Sequence, residues 1–164
     1  MAERERTRRR HVGVARAIYG QILVTAVVAA LSEDPETTAG YLLLSAATTV
    51  LVFWVAHVYS AVVAHGIERQ GPVRGEELRS VVAQETPMLE TAIPTILVLL
   101  LGAVGAYSRD TTVSLAIGIG VVTLFFWGLV FGRAAGLGWP AAVMSAAITG
   151  AFGLVIVGLK ALVH

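Results

Sequence analysis

The residue of this 164-residue chain best suited to chemistry is His57. It stands in Trp54-Val55-Ala56-His57-Val58-Tyr59-Ser60, in the middle of an apolar run over residues 41–66. A neutral imidazole can ligate a metal, relay a proton or change charge near neutral pH. In hydrocarbon an ionisable side chain is costly, turns toward the protein interior and marks a functional position by default. The plain alternative is a histidine bonded to a hydroxyl on a neighbouring helix, which only holds the bundle together. His65 follows eight residues later, about 80° from His57 around an ideal helix. Ser60, Ala61 and Ala64 share this stripe, which reads either as a path for a proton or ion or as a close-packing face. Two histidines at this spacing cannot hold one ion between them.

Glu90 is the third candidate for such a path. It and Glu85 flank Thr86-Pro87, where acidic side chains also suit the first turn of a helix. With Glu68, Glu76, Glu77 and His65, Glu90 would make a carboxylate cluster for a hard cation. Arg69, Arg74 and Arg79 are interleaved and would pair with those acids, so the identity of any metal stays open. Gly128, Gly132 and Gly136 form two small-xxx-small steps on one helix face, and Gly150 and Gly153 with Ala146 offer a second; such faces let helices approach closely. The chain has no cysteine, which excludes disulfides, thiolate metal sites and cysteine nucleophiles. It has no Gly-rich phosphate loop, HExxH, GxSxG or buried acidic pair, so neither an enzyme nor a cofactor is expected.

The elements that must position these residues are membrane helices. The chain is 56% apolar and 14% charged, with a mean hydropathy of +0.77 and 17 glycines; a soluble protein carries ~25% charged residues. Apolar stretches run over about residues 12–31, 41–66, 87–107, 111–132 and 140–163. Each is near the ~20 residues that cross a bilayer core. Only helices satisfy a backbone there without the alternation of a barrel strand. The expected fold is therefore all-α, a polytopic membrane protein of five transmembrane helices. Residues 1–11 form a basic tail, and residues 12–164 form one transmembrane domain. Breaks fall at Ser32–Glu36, at Gly71-Pro72, at a polar hairpin Ser108-Arg109-Asp110, and at Gly136–Pro140. Pro94 should kink the third span unless a helix begins there. Residues 67–86 are a cytoplasmic amphipathic segment, with a helix over 73–84 lying along the inner leaflet.

Charge sets the orientation. With the N-terminus inside, ten of the twelve basic residues are cytoplasmic, and Arg109 and Lys160 are outside with Glu33, Asp34, Glu36 and Asp110. This is a strong positive-inside bias, and it puts His164 outside. The basic start, apolar core and Val28-Ala29-Ala30 also resemble a cleavable signal peptide, with Arg16 shortening that core. The basic cluster in MAERERTRRR reads as a topology signal that touches anionic lipid, not as a nucleic-acid site.

The layout resembles the vacuolar iron transporter family. Leu124-Phe125-Phe126-Trp127-Gly128 through Arg133, then Trp139-Pro140 and Gly150 to Gly158, look like that family's last two helices. Glu68 to Glu90 occupies the place of its acidic metal-binding insert and is shorter. The resemblance implies five helices, an inside N-terminus and a homo-oligomer, a dimer with the ion path between subunits. The family's first helix carries an acid shortly after a glycine, whereas Tyr19-Gly20-Gln21-Ile22-Leu23 has none. Met88 and Met144 stand isolated, so iron transport does not follow.

The functional expectation is a small multi-pass protein of the cell membrane, transporter-like or channel-like. It would move protons or cations along a path through His57, with His65 and Glu90 beside it. The alternative is a non-transporting scaffold or accessory subunit that binds partner helices through its glycine faces.

Overall fold

A backbone whose side chains offer few polar partners must satisfy its hydrogen bonds within each segment, and this chain is helical nearly throughout. The computed structural model describes the backbone of residues 2–162 and the side-chain surroundings of residues 13–153 and 155. The helices are α1 (Ala2–Leu31), α2 (Ala39–Arg69), α3 (Glu76–Glu85), α4 (Pro87–Glu90), α5 (Ile93–Ala103), α6 (Arg109–Ala134) and α7 (Trp139–Leu162). Among the described residues there is no strand. Three helices among the described residues, over Gly13–Leu31, Ala39–Arg69 and Arg109–Ala134, are long and apolar enough to cross a membrane, and a fourth is if the bent pair α3/α4 and α5 counts as one span. The side chains of the basic tail 1–11, the surroundings of Gly158 and Lys160, and residues 163 and 164 lie outside the described residues.

The stretch read as a third span over 87–107 is broken, and of the two readings of Pro94 the one in which a helix begins there holds. The axes of Glu76–Glu90 and Ile93–Ala103 differ by 51°. Pro94 has no N–H to return to the Glu90 carbonyl, and its ring crowds that carbonyl, so the helix stops at Glu90. Thr91 and Ala92 turn, their N–H groups donating to Pro87 O at 3.2 Å and Leu89 O at 3.1 Å. Pro87 does not do the same: Thr86 before it keeps helical angles, and Glu76–Glu90 runs along one axis through α3 and α4. The helix expected over 73–84 starts at Glu76, because Gly75 takes φ +59° just before it. The polar hairpin expected at 108–110 is instead the start of α6, whose first turn is capped by Ser108 Oγ accepting from Thr111 N at 3.3 Å.

The bundle is organised around α1, which touches α2, α3, α4, α6 and α7, while α6 and α7 make the most extensive pair. Val24 and Val28 of α1, Leu42 and Ala46 of α2, Leu99 of α5 and Ala116 of α6 form the apolar centre. On one face of the bundle Arg109 holds the α1–α2 turn to α6. Its guanidinium donates to the carbonyls of Thr37 at 2.8 Å, Ser32 at 2.9 Å and Asp34 at 2.6 Å. Helix α2 is the least covered of these three spans, with 17% of its most apolar window buried. Leu44, Leu51, Val52, Val55 and Tyr59 of α2 face outward. Such a surface belongs in lipid or against another apolar face.

Candidate functional site: a polar column beside the broken helix

Every fourth residue of α1 from Ala17 through Gln21 to Thr25 shares one helix face, and all three are fully buried. That face meets the broken segment because Gly20 lacks a side chain. A Cβ on Gly20 would collide with the Met88 carbonyl. On the other flank a Cβ on Gly120 of α6 would collide with Thr25 Oγ1. The two glycines thus draw α4 and α6 onto the polar edge of α1.

At the break, Thr91 is 4% exposed and its hydroxyl donates to Ala17 O of α1 at 3.0 Å. The same Oγ1 lies 3.3 Å from both Pro87 O and Met88 O, carbonyls of its own interrupted turn. One turn further, Gln21 Nε2 donates to Thr95 Oγ1 of α5 at 3.0 Å and to Thr25 Oγ1 at 3.2 Å. The amide oxygen, Oε1, has no partner among the described residues although the residue is fully buried. Turning the amide over would leave its NH2 group unpartnered instead, so one polar end is an orphan either way. A buried orphan of this kind costs ~1–3 kcal/mol.

Toward the start of α1 the column ends in an ion pair. Arg16 Nη2 lies 2.6 Å from Glu85 Oε1, and Nη1 donates to Gln84 O at 2.8 Å. Glu85 is 2% exposed, and its Oε2 has no partner among the described residues. The pair ties α1 to the last turn of α3, just ahead of Pro87. Removing one member of such a pair strands the other as a buried charge, which is far costlier than removing both. Arg16, read from the sequence as a topology charge, is therefore also a structural bolt.

The chemistry of the column follows from its atoms. Gln21, Thr25, Thr91 and Thr95 are neutral groups, and none takes up a proton near pH 7. Their oxygens are hard, uncharged donors of the sort that replace part of the hydration shell of a small cation. Discontinuous helices with polar groups at the break are a recurrent way of building such sites in transporters.

The candidates read from the sequence are not brought together. His57 Nδ1 is paired with Phe53 O of its own helix at 2.9 Å, and its ring lies 5.2 Å from the Tyr19 ring. His65 Nδ1 is likewise paired with Ala61 O at 2.9 Å. Each histidine thus bonds one turn back along α2, and the stripe does not close into a chain. Glu90 is exposed at the end of α4. Among the described residues no three His, Cys, Asp or Glu side chains could hold one metal ion, and Glu77 pairs with Arg69 at 2.9 Å.

The glycine faces turn inward. A Cβ on Gly132 would come within 2.7 Å of Ala142 Cα, and one on Gly128 within 2.8 Å of Ala146 Cα. Gly153 packs on Val121 and Leu124, and Gly150 on Phe125. Both faces are filled by the α6–α7 pairing of the chain itself. Gly136 serves differently: it takes φ +74° with nothing near its Cβ position. It closes α6, with Gly136 N donating to Arg133 O at 3.1 Å and Leu137 N to Gly132 O at 3.1 Å, a Schellman end that only glycine adopts without strain.

Gln21, Thr25, Thr91, Thr95 and Glu85 escaped the sequence reading as site residues. A signal existed in Gln21/Thr25 and Thr91/Thr95, two polar pairs at i, i+4 inside apolar runs. Compared with protein-family models, curated proteins and solved structures, the chain matches none of them.

Proposed function

We propose that the chain crosses the cell membrane five times, N-terminus inside and C-terminus outside, and moves small cations as a transporter-like or channel-like unit. The observation that carries this reading is the broken span, which sets its interruption against a fully buried glutamine with an orphan amide oxygen. The charge count supports the orientation, and the apolar sequence of α7 supports the fifth span. In this reading α3, α4 and α5 swing about residues 91–92, and the Arg16–Glu85 pair holds α3 against α1 in the closed arrangement.

His57 is replaced as the leading site residue by Gln21, and the proton by a cation, because the column is made of neutral oxygens. The five-helix layout is similar to that of the vacuolar iron transporter family. Hard uncharged oxygens nevertheless suit an alkali ion better than a transition metal. Reconstituted liposomes loaded with a sodium- or potassium-sensitive dye test the proposal. Wild type should pass one of these ions, Gln21→Leu should lose at least nine-tenths of the flux, and His57→Ala should keep it. Wild-type liposomes no leakier than empty ones would end this reading.

A second reading is favoured by the bare face of α2. The chain would be an accessory subunit or a homo-oligomer, a dimer in its simplest form, joined through Leu44, Leu51, Val55 and Tyr59, which are exposed. The glycines are no longer its means. Light scattering in detergent that gives a dimer for wild type and a monomer for Leu51→Arg would support it; a monomeric wild type that co-purifies with nothing would refute it.

A further inference from the structure

A groove of about 710 Å³ opens between α1, α6 and α7, lined by Ala15 and Ile18, by Phe131, and by Pro140, Ala141 and Met144 among others. Its wall is almost wholly apolar, and the hydroxyl of its threonine, Thr149, already donates to Ser145 O at 2.9 Å. The groove therefore asks for hydrocarbon and, apart from the side chain of Ser145, offers little polar recognition along its length. One end is different. Leu137, which lines the groove, gives its carbonyl to Arg133 Nη1 at 3.3 Å. The guanidinium also lies 5.2 Å from the Trp139 ring centre and is exposed. A fixed cation thus stands at the mouth of an apolar slot, stacked on an interfacial tryptophan. In the sequence, Arg8, Arg9 and Arg10 precede Ala15 by two turns of α1 or less.

We infer that this groove is a binding site for one anionic phospholipid, an acyl chain lying along α1 and α7 and the phosphate pairing with Arg133. A partner helix fits less well. Helices associate in membranes through small residues, and here the large side chains of Phe131, Leu137, Met144 and Ile148, all exposed, would hold one away. A flexible chain can thread between them. A zwitterionic lipid would fill the same slot but gains less from the cation at its mouth. The inference needs the membrane setting and not the transport reading, since the groove shares no residue with the Gln21 column.

Native mass spectrometry of the detergent-solubilised chain, titrated with phosphatidylglycerol or with phosphatidylcholine of the same acyl chains, tests it. Wild type should carry one phosphatidylglycerol several-fold more tightly than phosphatidylcholine. Arg133→Gln should weaken phosphatidylglycerol about fivefold and phosphatidylcholine by clearly less, the effect of one basic residue at a membrane surface. Ala141→Phe, which fills the slot, should weaken both lipids. Equal affinity for the two lipids in wild type, or phosphatidylglycerol binding indifferent to either substitution, would overturn the site. If Ala141→Phe fails to fold, the lipid comparison and Arg133→Gln decide the matter alone.

Discussion

Two of the tight helix contacts of this molecule are built in opposite ways. Between α6 and α7, Gly128, Gly132, Ala142 and Ala146 bring backbone against backbone, and the seam is held by van der Waals contact. Between α1 and the broken span, Gly20 also allows close approach, but the seam is held by Thr91, Gln21, Thr95 and the Arg16–Glu85 pair. The first contact has one good arrangement, because any shift of a glycine face opens voids or clashes. The second is directional and incompletely satisfied, with Gln21 Oε1 and Glu85 Oε2 both orphaned. Polar groups that can exchange partners tie a contact less firmly to one arrangement, and the helix on this side is already broken ahead of Pro94.

The contrast can be broken most severely at the ion pair. Arg16→Ala leaves Glu85 buried without its cation and should destabilise the protein by ~3–5 kcal/mol, whereas the double change Arg16→Met with Glu85→Leu should recover most of that loss. Thermal unfolding in detergent reads both, and a double variant no better than the single one would contradict the pairing. Next in size is Gly132→Leu, whose side chain would meet the backbone of Ala142. It should cost ~3 kcal/mol by forcing α6 and α7 apart; an unchanged midpoint would mean that the seam is looser than described.

Gln21→Leu sharpens the contrast by separating stability from activity. It removes an orphan polar group along with two hydrogen bonds, so the stability change should stay within ~1 kcal/mol while flux is lost. A large loss of stability would make Gln21 a structural pin instead. The smallest effect is expected at His57, which bonds only to its own helix and touches Tyr19. His57→Phe should keep that ring contact and move the unfolding midpoint by less than ~0.5 kcal/mol. A larger shift would show that the imidazole reaches a partner beyond α2.

Much of the fold was legible because lipid imposes length and apolarity on every span. The runs that became α1, α2, α6 and α7 are plain in the sequence, as are the turn at Gly136 and the weakness at Pro94. The site was harder. His57 drew attention because an ionisable type stands out in an apolar run, yet a histidine can satisfy one ring nitrogen on the carbonyl one turn back and need no other helix. Gln21 stood in a stretch notable only for lacking an acid, and Thr91 and Thr95 lie 70 or more residues away from it. No local pattern says which polar edges of separate helices will meet.

By itself, then, the sequence determined that the chain is a set of apolar helices, roughly which stretches form them, and that proline disturbs one of them. These are properties of single segments, decided by backbone hydrogen bonding and side-chain hydropathy within about twenty residues. Only the tertiary structure decided which face of each helix is buried. It matched Gly20 to Met88, Gly120 to Thr25 and Gly132 to Ala142, and closed the glycine faces on the chain's own α7. It also brought Gln21, Thr25 and Thr95 into one buried cluster and Arg16 onto Glu85. The reason is physical: helix formation depends on neighbours along the chain, but packing depends on shape and partner atoms contributed by segments far apart in it.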